Sequence, residues 1–321
     1  MGVPQTLGDD LQILSATKKH ALSKGHIGCV GDVETLNVAR GCAGACVFCY
    51  ARCYAGAPEP GNLLVYHDLA GLLRHELDTV RRKTPLPPFV AFSTASDGFL
   101  GEGSVMEVTR SCVEILLRRR IGISLSTRGI IPEDIVALLG RHASQVQITI
   151  PLVSLSRDYT TIWEPGTAAP EDRLFLIQRL LQVGIKPRIR IEPLIPFAND
   201  HTDQLRGVVS AIAGLGLTEA TLGFLHLRPG VEEQIKEEAP VEIQRLLLGC
   251  FPPPTEHASP FQHLPRKLRL ASLHRIQRIS REYGLKVSAC HCQNPGIPAG
   301  RCPIVPPELP RTRKIQGDLF S

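Results

Sequence analysis

The sequence predicts an α/β protein built on a partial (βα)6 barrel of TIM-like type, with extensions at both ends. Short apolar runs rich in β-favouring residues alternate with stretches of helical periodicity. Strands that are each followed by a helix favour a parallel sheet, because parallel neighbours need crossover connections. Six such units fall short of the eight that close a full barrel. As in full barrels, we expect the functional site at the carboxyl ends of the strands.

Each element follows from this alternation. The predicted strands are Thr35–Ala39, Phe89–Ser93, Gly122–Ser126, Gln145–Ile150, Pro187–Pro193 and Ala220–Leu225. The predicted helices between them are His67–Lys83, Ser104–Arg119, Pro132–Leu139, Pro170–Val183 and Thr202–Gly214. Pro132 and Pro170 suit the first turn of a helix, where a proline lacks no needed donor. Gly184 suits the position just after a helix end.

The same pattern divides the chain into three parts. Residues 1–33 form an N-terminal extension, residues 34–230 the partial barrel, and residues 231–321 a helical and cysteine-containing C-terminal segment. In the last part the alternation loosens. Helical periodicity over Val231–Leu248 and Lys267–Tyr283 is followed by a short apolar run, Leu285–Ser288, and a tail rich in Pro, Gly and Cys.

Composition excludes several classes of protein. With 321 residues, 43% hydrophobic and 21% charged, the chain can bury a full core and is not disordered in bulk. A net charge of +5 permits a nucleic-acid partner without requiring one. No apolar run reaches the roughly 18 residues of a membrane span. Because no signal-peptide pattern is present, a cytoplasmic location is expected, with no membrane partner.

Cysteines carry the main chemical signal. Cys42, Cys46 and Cys49, spaced Cys-x3-Cys-x2-Cys, directly follow the first predicted strand and so occupy the first βα loop. Three thiolates this close suit a soft metal centre better than local disulfides. One alternative is zinc, with Cys53 as the fourth thiolate. The other is an iron–sulfur cluster with three protein ligands and one open iron, which the small residues around Gly44 allow the loop to wrap.

With Tyr50 completing it, this cysteine motif resembles the signature of the radical S-adenosylmethionine (SAM) superfamily. The resemblance implies a partial barrel of the radical SAM type and a 4Fe–4S cluster on Cys42, Cys46 and Cys49. It also implies SAM bound at the open iron, reductive SAM cleavage, and a 5′-deoxyadenosyl radical that abstracts hydrogen from a substrate. An electron donor such as flavodoxin or ferredoxin would then be a partner.

Further stretches resemble the spore photoproduct lyase-like branch of this superfamily. They are Phe92-Ser-Thr-Ala-Ser-Asp97, Trp163-Glu-Pro-Gly through Arg173, and Arg190-Ile-Glu-Pro-Leu-Ile-Pro196 with Asn199-Asp200. The resemblance covers about residues 34–230. It implies SAM-contacting roles for eight residues: Tyr50, Ser96, Asp97, Ser126, Arg128, Thr149, Arg173 and Glu192. Two alternatives stay open, a helix N-cap for Ser96 and Asp97, and a surface salt bridge of Arg173 with Glu164 or Glu171.

A second cysteine group lies in the tail. Cys290, Cys292 and Cys302, with a proline after the last, have a spacing compatible with an auxiliary iron–sulfur cluster. The fourth ligand would be His291, Cys250 or Cys29. A structural zinc site, metal-free catalytic thiols and reduced structural cysteines are the alternatives. Cys112, inside a predicted helix, is interpreted as a small buried apolar residue.

The sequence therefore predicts a radical SAM enzyme that abstracts hydrogen from an unidentified small molecule or peptide. One alternative is a nucleic-acid lyase, repair or modification enzyme like spore photoproduct lyase. That enzyme has a hydrogen-donating cysteine just before its Ser-Asp pair. Here the segment Phe92–Ser96 contains no cysteine, which disfavours a literal lyase. The other alternative is a non-catalytic metal-cluster protein.

Overall fold

The computed structural model describes residues 11–25, 30–31, 33–59, 61–78, 85–101, 103–252 and 261–300. The strands are β1 (Gln12–Ser15), β2 (Ser23–Lys24), β3 (Glu34–Leu36), β4 (Ala39–Arg40), β5 (Asn62–Val65), β6 (Phe89–Phe92), β7 (Gly122–Ser126), β8 (Val146–Pro151), β9 (Arg188–Leu194), β10 (Glu219–Phe224), β11 (His226–Leu227), β12 (Gln262–His263), β13 (Lys286–Cys290) and β14 (Ala299–Gly300). The α-helices are α1 (Leu69–Asp78), α2 (Ser104–Arg118), α3 (Glu133–Arg141), α4 (Arg157–Trp163), α5 (Pro170–Gln182), α6 (Thr202–Gly214), α7 (Val231–Glu238), α8 (Val241–Leu248) and α9 (Arg266–Glu282).

The six predicted barrel strands are confirmed as parallel neighbours in one sheet. Its order is β14-β13-β10-β9-β8-β7-β6-β3-β2, and only the edge pair of β2 with β3 is antiparallel. The apolar run in the C-terminal segment becomes β13, which joins β10 after the crossover helix α9. Within the described residues the edge strands β14 and β2 do not pair with each other, so the barrel stays open.

Alternation along the central strands separates two chemical faces. In β8 and β9, Ile148, Ile150, Ile189 and Ile191 are buried in the same core cluster as the apolar residues of the helices. The intervening positions are polar, and the register places Ser126 opposite Thr149. Because paired residues of parallel strands share a face, the polar side chains form a continuous stripe on the side away from the helices.

Two predicted elements are divided in the structure. The strand expected over Thr35–Ala39 breaks after β3, and β4 pairs instead with β5, which also pairs with β1 in a small three-stranded sheet. The helix expected over Val231–Leu248 separates into α7 and α8 at Ala239-Pro240, because proline interrupts the helical hydrogen bonds. None of the described helices is long and apolar enough to cross a bilayer.

Candidate active site at the carboxyl edge of the sheet

The cysteine loop lies between β4 and a 3₁₀ turn, Tyr50–Cys53. The pKa of the Cys42 thiol is raised to about 12, mainly by burial and in part by the nearby charges of Asp97 and Cys49. Burial also raises the pKa of Cys46 well above its usual value, with Cys49 and Cys42 contributing. The three thiols thus lie within electrostatic reach of one another. As thiolates they need a compensating cation, which an iron–sulfur cluster supplies.

Small residues let this loop turn tightly and pack closely. Ala45 has a φ of 43°. A Cβ added at Gly44 would lie 2.8 Å from Leu100 Cδ1 and 3.3 Å from Thr167 Cγ2. The Gly44 carbonyl accepts a hydrogen bond from the Gly166 amide at 3.1 Å. The loop is therefore docked by its backbone against the segment that follows α4, at a point where a side chain would crowd Leu100 and Thr167.

Glu164 forms a buried charge network beneath this contact. Its carboxylate accepts from Arg128 Nε at 3.1 Å and from an Arg173 terminal nitrogen at 2.6 Å. Glu164 is 1% and Arg173 2% exposed. Burial by itself would raise the pKa of Glu164, but the charges of Arg173 and Arg128 outweigh it and lower the pKa. Glu164 is therefore held as a carboxylate between two guanidinium groups.

Arg173 has further protein acceptors. Its Nε donates to the Ala168 carbonyl at 2.9 Å, and a terminal nitrogen donates to the Pro151 carbonyl at 3.0 Å. The pairing with Glu164 that the sequence offered as an alternative is thus present, although it is buried rather than on the surface. The contact of Arg173 with the SAM carboxylate stays a prediction.

Asp97 ties the ends of two strands together. Its carboxylate accepts from Thr127 Oγ1 at 2.8 Å, from the Phe99 amide at 3.0 Å and from the Arg128 amide at 2.7 Å. Burial raises its pKa, and these hydrogen bonds oppose the rise. The carboxylate joins the turn after β6 to the end of β7 and does not cap α2, which begins at Ser104.

Two predicted hydroxyls at the same edge are unsatisfied. Ser96 is 5% and Thr149 0% exposed, and neither side-chain oxygen has a hydrogen-bond partner among the described residues. Ser126 lies beside Thr149 in the register of β7 and β8 and is half-buried. Since buried hydroxyls nearly always have partners, these two fit a ligand that supplies the missing bonds.

Glu192 and Tyr50 lie on the other side of the loop. The Glu192 carboxylate accepts from Arg190 Nε at 3.0 Å, and its position requires Gly223, where a Cβ would overlap it. Arg190 also donates to Gln293 Oε1 at 3.3 Å, which ties the turn after β13 to this edge. The Tyr50 hydroxyl donates to the Thr94 carbonyl at 3.2 Å.

Helix α7 clamps the cysteine loop from outside. Gln234 Nε2 donates to the Val47 carbonyl at 3.1 Å and to the Cys49 carbonyl at 3.2 Å. Arg52 donates to the Cys46 carbonyl at 3.3 Å and is itself held by Glu238 at 2.8 Å. The last βα unit of the barrel therefore fixes the loop of the first, although their strands are not neighbours.

The comparison with known families agrees with this geometry. Residues 36–206 match the Radical SAM superfamily. The chain belongs to the radical SAM superfamily. The match runs from β3 into α6 and contains the cysteine loop, the Glu164 network and both unsatisfied hydroxyls.

Relatives of this radical SAM chain extend the comparison. An uncharacterised protein of Mycobacterium tuberculosis is 28% identical over 207 residues, which is 60% of this chain and 59% of the relative. The chain thus spans less than two thirds of that relative's length. An uncharacterised protein of Acidianus two-tailed virus is 24% identical over 216 residues, or 62% of this chain and 69% of the relative.

Solved structures show the same radical SAM fold. A point mutant of spore photoproduct lyase superposes with a TM-score of 0.63 at 15% identity, covering 86% of this chain and 81% of that one. A radical SAM methyltransferase from Sphaerobacter thermophilus gives 0.52 at 18% identity, covering 82% and 70%. The partial barrel is therefore confirmed.

Membership of the radical SAM superfamily implies a 4Fe–4S cluster and SAM. Three thiols on one glycine-containing loop and two unpartnered buried hydroxyls at the same edge fit these groups. The individual roles of the eight predicted SAM-contacting residues stay predictions. The structure brings them to one edge, and it gives Asp97, Arg173 and Glu192 protein partners there.

The second cysteine group is only partly described. Cys290 is fully buried at the end of β13, and Cys292 lies in the following 3₁₀ turn. Cys302 and Cys29 lie outside the described residues. The auxiliary cluster stays a prediction. Cys112 is fully buried in α2, which confirms its interpretation as a core residue.

Sequence reasoning missed the clamp residues of α7 and gave Glu164 no role beyond a surface pair. A local signal existed only for Glu164, which lies in the Glu-Pro-Gly stretch. Gln234 and Glu238 lie on a helix that looks like an ordinary polar helix in the sequence.

Proposed function

We propose that this enzyme holds a 4Fe–4S cluster on Cys42, Cys46 and Cys49, binds SAM beside it, and abstracts hydrogen from a small-molecule or peptide substrate. One observation carries the proposal. The three-cysteine loop is docked on the carboxyl edge of the sheet next to two buried hydroxyls, Ser96 and Thr149, for which the part of the chain that the structure describes supplies no partner.

When bound, cluster and SAM supply one-electron cleavage of SAM and hydrogen abstraction by the resulting radical. The residues of the chain position and shield these groups. Arg128 and Arg173 hold Glu164, which fixes the segment packed on Gly44. Gln234 and Arg52 hold the loop carbonyls, so the thiols keep one arrangement. The Ser96 and Thr149 hydroxyls would donate to or accept from SAM.

The reducing electron must come from outside the chain. A small electron-transfer protein such as flavodoxin or ferredoxin is the proposed donor. Neither its docking surface nor its identity is needed for the first test, because a chemical reductant can replace it.

A nucleic-acid substrate is the second candidate. It is favoured by the likeness in fold to spore photoproduct lyase, including a complex with the dinucleoside spore photoproduct, at a TM-score of 0.60. The missing cysteine between Phe92 and Ser96 speaks against a lyase of the same mechanism. Retention on a DNA oligonucleotide with a steep loss of affinity at rising salt would favour a nucleic-acid substrate.

Anaerobic reconstitution tests the proposal. The wild-type protein should hold about four irons if only one cubane is present. Its reduced EPR signal should change on adding SAM, and 5′-deoxyadenosine should appear. Cys42→Ser, Cys46→Ser and Cys49→Ser should each lose the cluster. Cys53→Ser is the matched control in the same segment and should retain it.

Two other results would change the conclusion. Zinc in place of iron, lost on Cys53→Ser and without response to SAM, would contradict the proposal. About eight irons, with one EPR signal insensitive to SAM, would indicate the auxiliary cluster. Serine variants of Cys290, Cys292 and Cys302 would then remove only that second signal.

A further inference from the structure

Arg228, just after β11, is one of two buried arginines, with Arg269, that have no carboxylate partner among the described residues. It is 8% exposed. Arg173 and Arg190, also buried, are each paired with a glutamate, and Arg269 donates to the Leu264 and Pro295 carbonyls. No carboxylate of the described residues forms an ion pair with Arg228. A guanidinium removed from water without an anion is unfavourable unless something else compensates it.

The known neighbours of Arg228 are uncharged. Its guanidinium carbon lies 3.9 Å from the centre of the Tyr50 ring and 5.0 Å from that of the Phe261 ring. Its Nε donates to His226 Nε2 at 3.1 Å. The guanidinium therefore lies over two aromatic rings and donates a hydrogen bond to a neutral imidazole. The Tyr54 hydroxyl lies within hydrogen-bonding reach of the Arg228 side chain.

The adjacent histidines do not alter this charge balance. Burial first, and then the charge of Arg228, lowers the pKa of His226 to about 3. Burial, with the charges of Arg269 and Arg228, lowers the pKa of His263 to about 4. Arg190 is neutralised by Glu192. Arg228 is therefore a positive charge next to Tyr50 that no carboxylate of the described residues pairs with.

This charge lies beside the predicted cofactor site. Arg228 stacks on Tyr50, the residue directly after Cys49, and the charges of Arg228, Cys49, Arg190 and Glu192 all act on the Tyr50 phenol. A planar guanidinium held by two rings presents its terminal N–H groups to a planar or tetrahedral anion, the geometry that arginine uses for carboxylate and phosphate.

We propose that Arg228 binds an anionic group, a carboxylate or a phosphate, of a ligand at this edge of the sheet. The inference rests on the proposed function in that the ligand is either the substrate or SAM itself. If the anion belongs to the substrate, the enzyme acts on an acidic small molecule, an acidic peptide or a phosphate ester. In either case Arg228 is a binding residue that fixes the anionic end.

The test uses inorganic phosphate as the probe on the reconstituted protein. Thermal unfolding is measured with rising phosphate against chloride at equal ionic strength, for wild type and Arg228→Gln. Arg206→Gln is the matched control, because that arginine is surface-exposed and paired with Glu282. Phosphate should raise the Tm of wild type and Arg206→Gln, and at least a tenfold weaker response is expected of Arg228→Gln.

Repeating the titration with saturating SAM separates the two sources of the anion. A phosphate shift that persists with SAM assigns the site to a substrate anion. A shift that SAM abolishes assigns it to the SAM carboxylate. Equal shifts in wild type and Arg228→Gln, or no shift in wild type, would overturn the proposal.

Arg228→Lys guards against a folding defect. If Arg228→Gln proves unstable, Arg228→Lys takes its place. Lysine keeps the positive charge but loses the planar fork of arginine, so the phosphate response of Arg228→Lys should be weaker than that of wild type. Iron content and the SAM-dependent EPR change are recorded on the same samples. If the wild-type protein binds no iron, the proposed function is wrong. The phosphate titration of the metal-free protein would still show whether Arg228 binds an anion.

Discussion

Two arginine groups lie near the cysteine loop, where Arg128 stacks on Phe48 and Arg228 on Tyr50, and they differ in whether a carboxylate pairs with the arginine. In the first group, Arg128 and Arg173 surround Glu164, and their hydrogen bonds end on protein atoms. In the second, Arg228 meets two rings and a neutral histidine. Both Arg128 and Arg173 pair with the Glu164 carboxylate, which stabilises one arrangement of the chain, whereas Arg228 has no carboxylate partner among the described residues. The first group is therefore interpreted as a scaffold, and the second is the proposed anion site.

The largest expected effect comes from breaking the scaffold. Glu164→Gln leaves the buried Arg173 and the half-buried Arg128 without a counter-charge, so the free energy of unfolding should fall by about 3–5 kcal/mol. Urea denaturation of the cofactor-free protein measures it. Glu171→Gln removes an exposed partner of Arg157 and should change stability by about 0.5 kcal/mol or less. A loss for Glu164→Gln as small as that of the control would show that the network does not hold the loop.

The second prediction concerns how stability depends on pH through His226, the neighbour of Arg228. The pKa of His226 is lowered from 6.5 to about 3 in the folded protein, so below pH 6.5 the unfolded chain takes up a proton that the folded chain does not. Stability therefore falls as the pH decreases through this range, by about 2 kcal/mol between pH 7 and pH 5. Urea midpoints at several pH values measure the slope. His226→Gln should reduce this slope and leave the part contributed by His263, whose pKa burial lowers to about 4, and an unchanged slope would contradict the buried neutral state of His226.

His274→Gln is the matched control for this experiment, because His274 is exposed on α9. It should keep the wild-type slope. Since Arg228 contributes to the lowered pKa of His226, phosphate bound at Arg228 should also reduce the slope, which links the pH dependence to the proposed anion site.

The sequence predicted the barrel and the cysteine loop because both have local signals. Alternating apolar runs located β6, β7 and β8 to within a residue or two, and the spacing of Cys42, Cys46 and Cys49 predicted a cluster site on the loop after the first strand. The run over Leu285–Ser288 was too short to be counted as a strand. Its role as β13 depends on pairing with β10, some sixty residues earlier, which no local pattern records.

The clamp and the Arg228 site depend on long-range contacts. Gln234 reaches carbonyls that are 187 and 185 residues away in the sequence. Arg228 meets Tyr50 only because the end of β10 lies near the first βα loop once the sheet has curved. Whether a buried arginine is paired, as in Arg173, or unpaired, as in Arg228, is decided by these contacts and not by its neighbours in the sequence.

The third prediction tests the link between the two groups. Gln234→Ala deprives the Val47 and Cys49 carbonyls of a donor, and the unfolding free energy should fall by about 1–2 kcal/mol. Because those carbonyls belong to the cysteine loop, iron should also leave the reconstituted protein faster in a chelator. Gln277→Ala removes a comparable bond to the Val287 carbonyl, away from the loop. Gln277→Ala should lose similar stability and keep the wild-type rate of iron release. Equal rates of iron release in the two variants would show that Gln234 does not hold the cysteine loop.

The smallest expected effect compares a paired and an unpaired hydroxyl at the same edge. Thr127 Oγ1 donates to Asp97 and accepts from the Gly129 amide, whereas Thr149 Oγ1 has no partner. In the cofactor-free protein, Thr127→Val should lower the free energy of unfolding by about 1 kcal/mol or more, while Thr149→Val should be neutral or stabilising, because it removes an unsatisfied buried group.

For the affinity of the reconstituted protein for SAM, Thr149→Val is expected to have the larger effect of the two variants. If the Thr149 hydroxyl bonds to SAM, Thr149→Val should weaken SAM binding by about tenfold, the equivalent of one hydrogen bond. Anaerobic calorimetric titration measures this. An unchanged affinity would mean that the hydroxyl belongs to the substrate's part of the site, and the comparison with Ser96→Ala would then show which hydroxyl SAM uses.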